Sequence, residues 1–290
     1  MHRSCIRIAD VSIGLRANAA EDICLTSDLN AFRIEPAECD IEITIAWVES
    51  LERPRGRKLF DSGAVWTLYA RDYGYLVDFE TPVLGACPYK RLCVNRSFSE
   101  AQLFLNRECL GGLDPVHALE YPLDEWLVTN WLASGKGVEV HGCGLADRAS
   151  GGHLFLGHSG AGKSTTTMLW KSIRDARILS DDRIILRDQG SELWMHGTPW
   201  HGEAGFAAAE RVRIERIFVL EHGDKNEIAP LSKAQAVGEL FARSFPPFHG
   251  HRPLESTLAY LHHITESVPC YRYRFFPDAS AVEAILDFNG

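Results

Sequence analysis

The stretch Gly157-His158-Ser159-Gly160-Ala161-Gly162-Lys163-Ser164 fits G-x-x-x-x-G-K-[ST] at every fixed position. Glycines let the backbone curl so that successive N–H groups face one anion. A helix beginning near Lys163 aims its positive end at the same place. In this pattern the lysine reaches the β- and γ-phosphates and the Ser164 hydroxyl ligates magnesium. Gly157 to Thr165 are therefore the expected phosphate-binding segment. The flanking sequence agrees: His153-Leu154-Phe155-Leu156 reads as an apolar strand, and Thr165-Thr166-Thr167-Met168-Leu169-Trp170 as the helix that follows. On its own such a loop implies a bound nucleoside triphosphate and nothing about its fate.

The second chemical signal is Ile178-Leu179-Ser180-Asp181-Asp182. Most proteins with this loop carry an apolar strand ending in one Asp that helps hold magnesium. Two adjacent carboxylates so soon after the loop are unusual. In extended chain, neighbouring side chains point to opposite faces. One carboxylate can then serve the metal and the other an acceptor hydroxyl, as phosphoryl transfer requires. The competing reading is an Asp-Asp turn between strands.

Val140-His141, the glycine loop and Ser180-Asp181-Asp182 together resemble the kinase core of the HPr serine kinase/phosphorylase family. That family has a His on the strand before the loop strand, a loop of the type G-x-S-G-x-G-K-S, and an Asp-Asp pair after the next strand. The resemblance covers about residues 135–205. It implies a Mg2+- and ATP-dependent serine kinase with a PEP-carboxykinase-like α/β core. Asp181 would be the base for the acceptor hydroxyl, and Asp182 would support the metal. Lys163 would bind the β- and γ-phosphates, Ser164 would ligate Mg2+, and His141 would serve the site from the adjacent strand. Glu203 matches an acidic metal-site residue by position. A homo-oligomer is also implied.

The chain departs from the family in three places. Gly197-Thr198-Pro199-Trp200-His201-Gly202-Glu203 stands where the family is glycine-rich. Arg243 is the candidate for the family's basic loop, which separates the phosphorylase expectation from the kinase one. The N-terminal half differs from that of the carbon-regulation enzymes. The pattern is more similar to HPr-kinase-like proteins of peptide-modifying gene clusters, so the acceptor is expected to be a serine on a peptide or protein.

These residues need elements to hold them. Ile41, Ile43, Ile45 and Trp47 alternate as on a half-buried strand. Residues 65–69 and 75–79 read as a hairpin around Arg71-Asp72-Tyr73-Gly74. Residues 101–105 read as another strand. From Pro122 the period changes to helical, with Leu123, Trp126, Leu127, Asn130 and Trp131 on one face, stopped by Gly135 and Gly137. Strands follow at 138–141, 153–156, 177–179, 183–186 and 216–220, with helices near 232–243, 253–266 and 278–287. The expected organisation is a mostly β domain over 1–115, suited to acceptor recognition, and an α/β kinase domain over 116–290.

Composition narrows the field. The 290 residues are 46% hydrophobic and carry a formal charge of −9, so a basic face for nucleic acid is not expected. Apolar runs are too short to span a bilayer, and the N-terminus does not read as a signal peptide. The eight cysteines are irregularly spaced with no C-x-x-C, which favours reduced thiols in a cytoplasmic protein over disulfides or a zinc ribbon. His249-Gly250-His251 and His262-His263 lack partners at ligand spacing and read as surface or loop residues. Cys143 reads as a small buried residue, Trp126 and Trp131 as core, and Phe245-Pro246-Pro247-Phe248 as a helix stop. A nucleotide-responsive binding protein and a small-molecule kinase stay open as alternatives.

Overall fold

A computed structural model describes residues 1–20, 23–54, 56–85, 87–247 and 249–288. It is a mixed α/β structure that divides into two compact units, Met1–Trp131 and Leu132–Gly290. The boundary expected near residue 115 lies within the first.

The first unit contains β1 (His2–Ile8), β2 (Val11–Ala17), α1 (Ser27–Asn30), β3 (Arg33–Ile34), β4 (Ile41–Val48), β5 (Lys58–Asp61), β6 (Trp66–Arg71), β7 (Gly74–Phe79), β8 (Lys90–Asn95), β9 (Glu100–Asn106), α2 (Arg107–Leu110) and most of α3 (Leu123–Leu132). Its nine strands form one sheet in the order β3-β1-β2-β4-β9-β8-β7-β6-β5. β4 lies between two parallel neighbours, β2 and β9, while the remaining pairs are antiparallel. Ile41, Ile43 and Ile45 of β4 are buried, Thr44 is exposed and Glu42 half-buried, as the alternation predicts. The β6–β7 hairpin turns at Asp72-Tyr73. Trp131 is buried, and Trp126 is half-buried against the Phe98 ring, 5.4 Å between centroids.

The second unit contains β10 (Val138–Asp147), β11 (Gly151–Leu156), α4 (Lys163–Arg174), β12 (Arg177–Ser180), β13 (Arg183–Gln189), β14 (Glu192–Gly197), β15 (Arg211–His222), β16 (Glu227–Pro230), α5 (Lys233–Phe241), α6 (His251–Ser267), β17 (Cys270–Phe275) and α7 (Ser280–Leu286). Two long strands organise it. β10 pairs with β13 through Val138–His141, then with β11 through Gly142–Asp147. β15 pairs with β14 through Arg211–Arg213, then with β11 and β17. β11 therefore lies between an antiparallel β10 and a parallel β15.

A strand flanked on both edges is buried on both faces, and β11 is apolar for that reason. Leu154 and Leu156 join a core with Ala236 and Leu240 of α5 and Leu261 and Ile264 of α6. Phe155, between them, joins a second core with Trp170 of α4 and Val282 and Ile285 of α7. The loop after β11 is thus anchored by core on both sides. β10 continues to Asp147, past the His141 end expected from sequence. Gly142 and Gly144 weaken its strand signal, yet Gly144 is where Ile184 packs closest: a Cβ there would lie 2.6 Å from Ile184 Cδ1.

Candidate functional site

Gly157–Gly162 leave the end of β11 and lead directly into α4. Gly160 has φ +79° and Gly162 has φ +98°, the left-handed region that a side chain resists. Gly162 is the N-cap of α4 with no side-chain cap, so the first backbone N–H groups of the helix are left for another acceptor. The Lys163 ammonium is buried and donates to the carbonyls of Gly157 (3.0 Å) and His158 (3.2 Å). Burial, with help from Arg183 and Arg243, lowers its pKa against the pull of Asp182. Ser164 and Thr165 are exposed at the helix start.

The Asp pair follows β12. Ser180 Oγ accepts from the N–H of Asp182 (3.3 Å) and Arg183 (3.2 Å), which tightens the turn. The Asp182 carbonyl accepts from Gly142 N–H (3.0 Å), pinning the turn to β10. The two carboxylates then diverge. Asp181 is 2% exposed and accepts three backbone N–H bonds, from Gly202 (3.1 Å), Ala204 (3.0 Å) and Phe206 (3.2 Å). It wraps the 202–206 loop around itself so closely that a Cβ on Gly202 would sit 2.8 Å from its Oδ2. Asp182 is half-buried and faces the other way. Its Oδ1 meets His141 Nε2 at 2.8 Å, and its Oδ2 pairs with the Arg183 guanidinium. Burial raises the Asp182 pKa, but the His141 hydrogen bond and the Arg183 charge outweigh it, and the net shift is downward.

His141 stands at the point where β10 changes partner from β13 to β11. Its N–H donates to the Arg243 carbonyl at 2.7 Å. The Arg243 side chain is directed to Glu239, one turn back, and bonds both its carbonyl and its carboxylate. Arg183 lies over the Phe245 ring, 4.2 Å from its centroid. Phe248, the last residue of the expected helix stop, lies outside the described residues.

One cavity of about 400 Å³ is lined by His141, Ser159, Gly160, Gly162–Thr165, Asp181, Asp182, Gly202, Glu203 and His222. Gly157, His158 and Ala161 do not line it; they form the back of the loop. Glu203 is exposed on its turn. His222 was not among the residues expected from sequence: its Nε2 bonds the Gly160 carbonyl at 2.7 Å from 62 positions away. No local pattern could have marked it, because the contact is made only by the β15–β11 pairing.

Other candidates lie elsewhere. Cys143 is fully buried, accepts from Thr167 Oγ1, and is pushed up to about 12 by burial, so it is no nucleophile. His263 bonds Asp188 at 3.1 Å, and His262 approaches Glu266. Among the described residues there is no group of three or more His, Cys, Asp or Glu placed to hold a metal, and no helix is long and apolar enough to cross a membrane.

A second, open groove of about 860 Å³ crosses the sheet of the first unit. Its charged lining is Arg16, Glu38, Asp40, Glu42, Arg71, Asp72 and Glu100.

No protein-family model matches the chain. No curated protein matches it either. Among solved structures it is similar to the HPr(Ser) kinase/phosphatase from Coxiella burnetii, at 13% identity over 44% of this chain and 92% of that one, with a TM-score of 0.23.

Proposed function

We propose that this chain is a phosphotransferase that uses Mg-ATP to phosphorylate a serine hydroxyl on a peptide or protein. The observation that carries this reading is the single cavity into which the glycine loop, His141, Asp182 and Glu203 all open. A triphosphate held by a loop and helix N-terminus presents its last phosphoryl group to whatever lines the opposite wall. Here the same cavity holds a carboxylate with a histidine bonded to it, which is what an acceptor hydroxyl needs.

The backbone N–H groups of Gly160 and of Gly162 to Thr165 receive the phosphates. Lys163, resting on two loop carbonyls, exchanges them for the β- and γ-phosphates. Ser164 and Glu203 offer only hard oxygen donors, which suits Mg2+, and Asp182, expected from the resemblance to support the metal, is instead engaged by His141 and Arg183. Magnesium keeps several waters and takes one or two carboxylates plus substrate phosphates, so a dense protein cage is not needed. Bound there, it would neutralise charge on the transferred phosphoryl group.

The hydrogen bonds favour a particular division of labour within the Asp pair. The resemblance assigns the base to Asp181. Three backbone N–H bonds occupy its oxygens and commit it to the 202–206 loop, so it is not free to turn toward an acceptor hydroxyl. Asp182 has His141 beside it to orient the carboxylate and share the proton. We therefore assign the base to the Asp182–His141 pair, and to Asp181 the placing of the loop that carries Glu203. With the Arg243 side chain engaged by Glu239, the kinase direction is the one proposed. Acceptor recognition is assigned to the groove of the first unit.

The test is transfer of radiolabel from γ-labelled ATP to serine peptides, with EDTA as control. Label on phosphoserine, abolished by EDTA and by Asp182→Asn, is the expected result. Tight ATP binding without transfer to any acceptor would instead indicate a nucleotide-responsive binding protein.

A further inference from the structure

β15 and β17 run parallel and end side by side, with His222 opposite Phe275 in the register. Both ends press on the glycine loop. The Phe275 ring lies against Gly162, where a Cβ would come within 2.3 Å of its Cζ. The His222 ring stacks on Phe275, with centroids 6.0 Å apart and planes at 28°. Its Nε2 reaches the Gly160 carbonyl at 2.7 Å. A carbonyl only accepts, so Nε2 carries the hydrogen. Two strand ends therefore hold the two loop glycines that have positive φ.

The hydrogen bond has a consequence for an anion in the loop. A nest for phosphate is made by N–H groups turned inward. A carbonyl turned inward would set its lone pairs against the phosphate oxygens. The Gly160–Ala161 peptide is tied at both ends, its N–H donating to the His158 carbonyl at 3.0 Å and its carbonyl accepting from His222. His222 is the group that holds its carbonyl outside the nest, and it does so from the rim of the same cavity.

We propose that His222 is a positioning residue of the triphosphate site, fixing the Gly160 peptide so that the loop has its anion-binding shape before nucleotide arrives. The proposal rests on the triphosphate reading of the loop. Apparent affinity falls in proportion to the fraction of molecules in the competent shape. Losing this one bond therefore weakens nucleotide binding without touching the chemical step.

The test is isothermal titration of the full chain with Mg-ATP, alongside the thermal midpoint and kcat at saturating ATP. His222→Ala and His222→Phe are expected to raise Kd about fivefold, the size of one net hydrogen bond. Phe keeps the stack on Phe275 and lacks the donor, so it separates bond from packing. His222→Gln carries an N–H the same number of bonds from Cα and is expected to restore wild-type Kd. kcat should change less than twofold throughout, a split that a merely structural role would not produce. Wild-type Kd in either the Ala or the Phe variant, or no rescue by Gln, overturns the proposal. A wild-type chain that binds no Mg-ATP overturns the triphosphate reading itself, a different and distinguishable failure.

Discussion

Substituting Asp182 by Asn removes the carboxylate that His141 bonds while keeping its size. If the pair is the base, transfer should fall about 100-fold, within the range of general-base effects, with ATP affinity and thermal midpoint little changed. Asp181→Asn should behave differently. An amide NH2 in place of one oxygen faces the N–H groups of the 202–206 loop, and each buried donor left without an acceptor costs about 1–3 kcal/mol. The expected signature is a thermal midpoint several degrees lower, together with lost transfer. If the two variants trade these signatures, the roles are reversed. The type and spacing of the loop residues, the Asp pair and His141 are visible along the chain, because the loop and the Asp pair follow strand ends and His141 closes the apolar first part of β10. Which carboxylate does what is not visible. That depends on Gly202, Ala204 and Phe206 curling back onto Asp181 from more than twenty positions away.

The strands and helix that aim these residues have their own sensitivities. Gly162→Ala adds a Cβ at φ +98° into the Phe275 ring, a left-handed cost of about 1–2 kcal/mol before the clash is counted. Loss of ATP binding with the sheet intact by circular dichroism is the predicted outcome. On β11, His153 is fully buried, and burial, with the Arg216 charge, pushes its imidazole down to about 4 against the pull of Asp147. The unfolded chain takes up that proton near pH 6.5, while the folded chain does so only near pH 4. Folding stability should therefore be at its full value above pH 6.5 and decline as pH falls from 6.5 to 4. Urea midpoints across that window, compared with those of His153→Gln, check this; the variant should be less stable at pH 7 but have the shallower slope. Elements with a strong local signal are readable: β4 by its two-residue alternation, the β6–β7 hairpin by its turn residues, β11 by its apolar run and α3 by the helical spacing of its large apolar residues. β10 was readable only as far as His141, because its continuation is rich in glycine and its pairing with β11 is what keeps it extended.

At the scale of the molecule, nucleotide chemistry and acceptor recognition are assigned to different units. The groove on the first sheet carries five carboxylates and two guanidiniums in its lining, so its character should be set by charge. Glu100→Lys and Asp72→Lys, both on exposed positions, should raise KM for a peptide acceptor severalfold and leave the Kd for ATP unchanged. Equal effects on both constants would remove the groove from the acceptor's path. The broad division into a β-rich first part and an α/β second part is written in the change of hydrophobic period near Pro122. The point of division is not, since α3 continues across it without a break. The proposed reaction requires the glycine loop and Asp182 to act on the same phosphoryl group. The most direct measurement is γ-phosphoryl transfer from labelled ATP to a serine peptide library, with wild type and Asp182→Asn side by side. Phosphoserine formed by the wild type and reduced about 100-fold in the variant is the predicted result; undiminished labelling by Asp182→Asn would contradict it.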